Sequence, residues 1–518
     1  MSKSLAPRMP WGCSWMWLGL MLGGSLAPEL VAQSGGRTPT PKTKAADRPA
    51  PKSGTAAAKP ATAPSPPAGA AAKPAAEAKP KDAARAKAGD VVREGMTPSP
   101  DTKKVEPPEA FLDPRAKDAL ANTFPQVGTR PNAQIINQVK AMARGENPPD
   151  PAAIRTYVDG MTYELTSLAN IKALLESSDK PVGAAARGLE VATNNLIEPL
   201  TTARSNNNTA FLNAYNPVLL ARLPQLLDKH LLTRIEAMIV LGNTRSPNAI
   251  DVFIKQLSNP NQTVWVKLWA ARGLANVTQD GQIDLDAQRG MTAGKAVADF
   301  LEQEKDLPWP VQMRAVEALG ALRQASAAPL QGTADMASAA LARLADPQAR
   351  PEVRAWAAWA LGLMRVNPQL AKYNYSLIAH SIGLLVADLG EKIAGVGSEN
   401  PEQAQLWTAL LLYQVYPALS GQTGVRDSGL LHFPNVGAHA PFIKQVNDRV
   451  QEVCVAAVNL TRAAGGLVPQ RQKDLRSRVD ALRAFLAKAA PADRRLLPNG
   501  PELPLANGRV AGALPGAR

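Results

Sequence analysis

Between residues 231 and 366 apolar and polar positions alternate with the period of an α-helix, and one short pattern occurs there four times. A basic or polar residue is followed, three, seven and eight positions later, by a small residue, a Leu, and a Gly or Ala. The copies are Arg234, Ala237, Leu241, Gly242; Lys267, Ala270, Leu274, Ala275; Gln312, Ala315, Leu319, Gly320; and Arg354, Ala357, Leu361, Gly362. These offsets place the small residue and the Leu on one helical face. Each patterned helix follows a second periodic stretch: 248–257 precedes 264–277, 294–302 precedes 311–322, and 335–345 precedes 353–366. Asn259-Pro260-Asn261, Pro308-Trp309-Pro310 and Asp346-Pro347 lie at the joints, where they stop one helix and start the next. The pattern predicts antiparallel helix hairpins.

The copies start at residues 234, 267, 312 and 354, and are therefore 33, 45 and 42 residues apart, near the period of paired-helix arrays. With an apolar helix end at Leu341 to Ala345, the Asp346-Pro347 turn, and a Val353-Arg354 start to the next helix, the stretch resembles a HEAT repeat. The resemblance implies an all-α protein, an α-solenoid of antiparallel hairpins. It covers about 140 residues well and about 300 loosely.

Around this array the periodicity predicts an irregular helical N-terminal section over 111–230, with long helices at 152–177 and 182–203 after the Pro148-Pro149-Asp150-Pro151 break. Beyond it, 367–490 reads as a helical cap with helices at 375–394, 403–419, 442–463 and 470–489 and a Gly-rich loop at 420–441. Residues 491–518 read as a flexible tail. Caps are expected because a terminal repeat otherwise exposes an apolar face.

Composition changes the picture most at the N-terminus. Residues 34–110 hold 14 Pro and 20 Ala and no Phe, Tyr, Trp, Leu or Ile, too little apolar area to offset chain entropy. The expectation is a disordered Pro/Ala/Lys-rich linker acting as an extended tether. Ahead of it, Lys3 and Arg8 precede an uncharged apolar run from Trp11 to Leu26, and Leu30-Val31-Ala32 lies before Gln33. Residues 1–33 therefore read as a secretory signal peptide or, if uncleaved, a signal anchor tethering the chain to a membrane. Cys13 follows Pro10-Trp11-Gly12, which is not a lipoprotein cleavage box. The abundance of Ala, Pro, Arg and Gly suggests a bacterial source.

The net charge of +14 divides unevenly: residues 34–110 carry 14 Lys+Arg against 8 Asp+Glu, residues 1–33 add +1, and +7 remains for 111–518. A helical region this mildly basic gives little support to nucleic acid as a partner. Without the leader, Cys454 is the single cysteine, and Val453 to Val458 gives it the setting of a buried helix position.

The chain has no phosphate-binding Gly-rich loop, His-Glu-x-x-His helix, paired Cys-x-x-Cys or Gly-x-Ser-x-Gly elbow. His432 and His439 share a loop with Asp427, but a Gly-rich loop does not hold three metal ligands in place; His380 lies on an apolar helix. No catalytic residue, cofactor or metal is expected, although an acid and a base distant in sequence would leave no motif.

The aromatic positions point to binding instead. Two, five and nine residues after the start of the motif copies lie Trp269, Arg272, Asn276, Arg314, Glu317 and Trp356, on a face different from the Ala and Leu face. The HEAT resemblance implies that the second helix of each pair lines the concave side, so this face would be presented to a ligand. Trp and Arg are frequent interface residues. The alternative is that the Trp side chains fill gaps between hairpins. The expectation is an exported, non-enzymatic scaffold of the cell envelope or periplasm that recognises a protein partner. An exported enzyme acting on an envelope polymer and a HEAT-like nucleic-acid-binding protein are the alternatives.

Overall fold

The computed structural model describes Arg115 and residues 126–503 apart from 131, 177–187, 280, 282, 305, 371, 397–399 and 464. The expected leader and linker, residues 1–110, lie outside the described residues, as do 504–518. Among the described residues the chain is all-α, and pairing of the β type is confined to two isolated bridges, Gln324 with Arg365 and Arg495 with Glu502.

The N-terminal helices are α1 (Ala133–Arg144), α2 (Pro151–Leu165), α3 (Leu168–Glu176), α4 (Gly188–Ser205) and α5 (Thr209–Arg222). The patterned region holds α6 (Leu231–Asn243), α7 (Ile250–Ser258), α8 (Val264–Val277), α9 (Ala287–Gln303), α10 (Trp309–Leu322), α11 (Asp335–Ala345) and α12 (Pro351–Leu363). Then follow α13 (Tyr375–Val396), α14 (Pro401–Leu410), a π-turn (Leu411–Val415), α15 (Tyr416–Ser420), α16 (Ala440–Thr461) and α17 (Val468–Lys488).

Local chemistry starts these helices where the pattern places them. Thr263 caps α8 by accepting from Val266 N, and Asp286 caps α9 by accepting from Arg289 N at 3.0 Å. Pro351 opens α12, where its missing amide proton costs no hydrogen bond.

The helices pack in two rows. The second helices of the hairpins, α6, α8, α10 and α12, stack in chain order, and the same row extends to α4 on one side and to the π-turn and α15 on the other. The first helices α7, α9, α11 and α13 form the parallel row. α16 and α17 pack on each other and both pack on α13. One apolar core runs from Val139 to Leu503.

The motif residues explain the stacking. A Cβ on Gly320 would lie 2.6 Å from the Cα of Ala360, and one on Gly362 would lie 2.4 Å from the Cα of Ala418, so these glycines are where successive second helices touch backbone to backbone. The first residue of each copy ties its own hairpin together or joins it to the next. Arg234 donates to the carbonyls of Lys229 and Asp228, Gln312 to that of Leu307 at 2.7 Å, and Arg354 to that of Leu344 at 3.0 Å. The Leu344 carbonyl, left open in the last turn of α11, is thereby satisfied by a side chain, and the others belong to the turns that lead into the second helices. Lys267 instead reaches forward to Glu304, 2.7 Å away, and Arg354 also reaches forward to Asp388 at 3.0 Å.

Several expected boundaries move for identifiable reasons. The helix expected at 152–177 is divided into α2 and α3, because the buried Thr166 hydroxyl accepts from Val127 N at 2.9 Å and donates to Thr162 O at 2.8 Å. The part of the expected 182–203 helix before Gly188 lies outside the described residues. α9 begins at Ala287 rather than 294, since Asp286 caps it there. The stretch 403–419 is interrupted by the π-turn. Of the expected flexible tail, 491–503 folds back: Leu496, Leu497 and Leu503 are buried, and Asn374 Nδ2 donates to the carbonyls of Asp493 and Arg495.

Candidate functional site

The six residues singled out from the sequence lie on α8, α10 and α12, three successive helices of one row. Because the row runs in parallel, equal offsets meet across it. Arg272 and Glu317 both stand five residues into their motif copies, and Arg272 Nη1 is 2.6 Å from Glu317 Oε1. Arg314, one turn earlier on α10, holds the other oxygen of Glu317. Asn276 donates to the carbonyl of Gly242 on α6 at 3.3 Å.

This geometry corrects the expected face in part. Glu317 is 2% exposed and Arg314 6%, so both lie inside the row rather than in solvent, and Arg272 of α8 reaches Glu317 to join α8 to α10. Helices that touch at small residues bring their flanking side chains into the interior, and a carboxylate held there needs the two guanidinium partners it has. Arg272 keeps about a quarter of its side chain exposed.

The tryptophans divide in the same way. Trp269 on α8 and Trp356 on α12 are half-buried and pack against the edge of the core. Trp356 stands edge-on to Trp359 with ring centroids 5.1 Å apart, and the buried Trp359 donates Nε1–H to Gln422 Oε1 at 3.2 Å. Each indole that reaches the surface is thus backed by apolar packing, which fixes its orientation.

Sequence reasoning missed three polar features at this row. Glu236, the counterpart of Trp269 on α6, is buried and accepts a 2.7 Å hydrogen bond from the Thr193 hydroxyl of α4. Burial pushes its carboxyl up to about 7, the Thr193 hydrogen bond works against that, and the nearby Glu190 charge adds to it. Glu304 accepts from both Lys267 and Arg115; burial acts to raise its pKa, but those two hydrogen bonds and charges prevail and lower it. Gln422 belongs to the loop after α15, where an open concavity of about 310 Å³ is lined by Ser420, Gln422, Ser428, His432 and Asp427 among others. A signal for Glu236 is present in the chain, since a carboxylate replaces an aromatic residue at a repeated position.

The histidines are engaged separately. His432 Nε2 lies 2.8 Å from the Ser420 carbonyl, and His439 Nδ1 lies 2.8 Å from the Ser376 hydroxyl. His380 is buried with Nε2 3.2 Å from the Leu486 carbonyl, and burial lowers its pKa against the opposing effect of that contact. Among the described residues no group of three His, Cys, Asp or Glu side chains is placed to hold a metal ion. Burial pushes the Cys454 thiol up to about 12, which keeps it from acting as a thiolate nucleophile near neutral pH.

Among the described residues no helix is long and apolar enough to cross a membrane. Comparison with known proteins found no matching family model, no similar curated protein and no similar solved structure.

Proposed function

We propose that the chain is a HEAT-like α-solenoid that serves as a non-enzymatic binding scaffold, exported in a bacterium and held at the cell envelope by its N-terminal tether. In this reading a protein partner is recognised by the exposed side of the row that contains α8, α10 and α12. The observation that carries it is the pair of half-buried indoles, Trp269 and Trp356, at the same motif offset on two helices of one row, with the part-exposed Arg272 between them in the chain. Tryptophan and arginine set on a rigid helical support are the residue types that dominate binding at interfaces. The Arg272–Glu317–Arg314 cluster supports the same surface from beneath by joining its helices.

The test is substitution of Trp269 and Trp356 by Ala, with affinity capture from the envelope fraction of the native host and a melting curve on the same preparations. The expected outcome is loss of the captured partner with little change in melting. A destabilisation of about 3–5 kcal/mol, the cost of truncating a core aromatic, would show that the indoles are packing residues instead.

A further inference from the structure

The net charge of the helical region is concentrated in one hairpin. Residues 440–488, which form α16, α17 and the turn between them, hold 9 Lys+Arg and 4 Asp+Glu, a net of +5 out of the +7 carried by residues 111–518. From 453 to 473 there is no Asp or Glu, while Arg462, Arg471 and Lys473 fall in that stretch. The acids around it are mostly engaged: Lys444 holds Asp448 at 2.7 Å, and Arg478 lies 3.0 Å from Glu452 and 3.6 Å from Asp474. Asp388 and Glu391 of the adjoining α13 are met by Arg354 and Arg483. Asp480 lies nine residues beyond Arg471. Arg462, Arg471, Lys473 and Arg476 are exposed, and among the described residues no carboxylate pairs with them.

The turn at the end of this hairpin is apolar. Leu467 is 60% exposed, follows Gly465-Gly466 and precedes Val468-Pro469. A single exposed Leu is ordinary on a protein surface. The setting of Leu467 is not, since it stands between Arg462 and Arg471 in the hairpin that carries most of the net charge. Gln472 Nε2 donates to the Ala394 carbonyl of α13 at 3.3 Å and ties the first turn of α17 to the body, so Leu467 and the cations beside it are carried on a fixed support. An apolar side chain flanked by cations matches a bilayer with anionic headgroups, which offers charge at its surface and hydrocarbon just beneath. Nucleic acid offers the charge without a hydrocarbon layer for Leu467, and residues 443–484 contain no Phe, Tyr or Trp on which bases could stack.

We propose that the α16–α17 turn docks on an anionic lipid surface, with Leu467 entering the headgroup region and Arg462, Arg471, Lys473 and Arg476 meeting the lipid phosphates. The contact is reversible, because one Leu and four cations fall far short of a membrane-spanning helix. It does not rest on the protein-binding reading of the face formed by α8, α10 and α12.

The experiment uses the full-length chain with Cys13→Ser and with Leu467→Cys carrying an environment-sensitive fluorophore; Cys454 is buried and stays unlabelled. A second preparation carries the same label at Leu330→Cys, an exposed site between α10 and α11. Docking predicts a blue shift of the label in the turn on adding vesicles of phosphatidylglycerol and phosphatidylcholine, none with phosphatidylcholine alone, and none at the Leu330 site. The last control separates a contact of the turn from one made by the N-terminal segment. Each cation near such a surface is worth about fivefold in binding, so Arg471→Gln combined with Lys473→Gln should raise the lipid concentration at half-maximal shift severalfold. Both side chains are exposed, and an unchanged melting curve checks that the hairpin is intact. Absence of the shift, an equal shift with neutral vesicles or at the Leu330 site, or indifference to the Gln substitutions would each overturn the proposal. A shift with duplex DNA and none with vesicles would assign the patch to nucleic acid instead.

Discussion

At the scale of single residues, Glu236 ties the stability of the row to pH. A carboxyl inside the row between α4 and α6, with a hydroxyl as its hydrogen-bond partner, is favoured in its neutral form. Its pKa rises from 4.5 to about 7 on folding, so the folded chain binds the proton more tightly. The sign follows: this contribution is fully present below about pH 4.5 and is lost as pH rises through about 7. At full loss it amounts to roughly 3 kcal/mol. Glu236→Gln keeps an acceptor for Thr193 without the charge. Urea unfolding at pH 5 and pH 8 should therefore show the wild-type chain losing more stability across that interval than the variant. Equal responses in both chains would show that Glu236 does not titrate in that range. Arg204 is a second case of burial acting on charge, lowered to about 10 while it donates to the carbonyls of Asn243 and Thr244 at the end of α6.

At the scale of elements, the contact between successive second helices governs what the row tolerates. In an exposed helix, Gly→Ala gains about 1 kcal/mol of helix propensity. At Gly362 the added Cβ meets the backbone of α15 at 2.4 Å, so the helices must separate. Overpacking of this kind costs about 1–3 kcal/mol, enough to cancel or exceed the gain. Gly362→Ala should lower the denaturation midpoint, and a higher midpoint would mean that the row accommodates the methyl group. The repeated Leu-Gly pair was legible in the sequence as a mark of helix pairing, and α8 and α11 begin and end where the pattern places them. What the motif residues touch was not legible. The partners of Arg234, Gln312 and Arg354 are backbone carbonyls, which carry no residue identity in the chain. The same limit applies to the candidate site. Periodicity groups Arg314 and Glu317 with Arg272, but their burial depends on how closely α8 approaches α10, which the spacing does not carry. The periodicity does not separate α1 and α5 within the irregular helical section expected over 111–230; α5 carries Pro217 within it.

At the scale of the whole molecule, the helical body and its N-terminal extension make a combined claim about location. The charged start, apolar run and small-residue site of 1–33 lead us to propose export, with 34–110 as the spacer. Fractionation of the native host followed by N-terminal sequencing of the recovered protein tests this: a start near Gln33 in an exported fraction is the expected result. An intact Met1 with membrane association would make the leader an anchor, and an intact chain in the cytosol would refute export. The two rows themselves have a consequence for how such a chain changes length over generations. Each hairpin packs chiefly on the hairpin before it and the one after, through contacts of similar form. A duplicated hairpin would therefore meet a ready-made neighbour on either side, and a deleted one would leave two compatible surfaces to close. The unequal spacing of the four motif copies, 33, 45 and 42 residues, reflects the first helices as well as the turns: α7 spans Ile250–Ser258, α9 Ala287–Gln303 and α11 Asp335–Ala345, and the row stacks all the same.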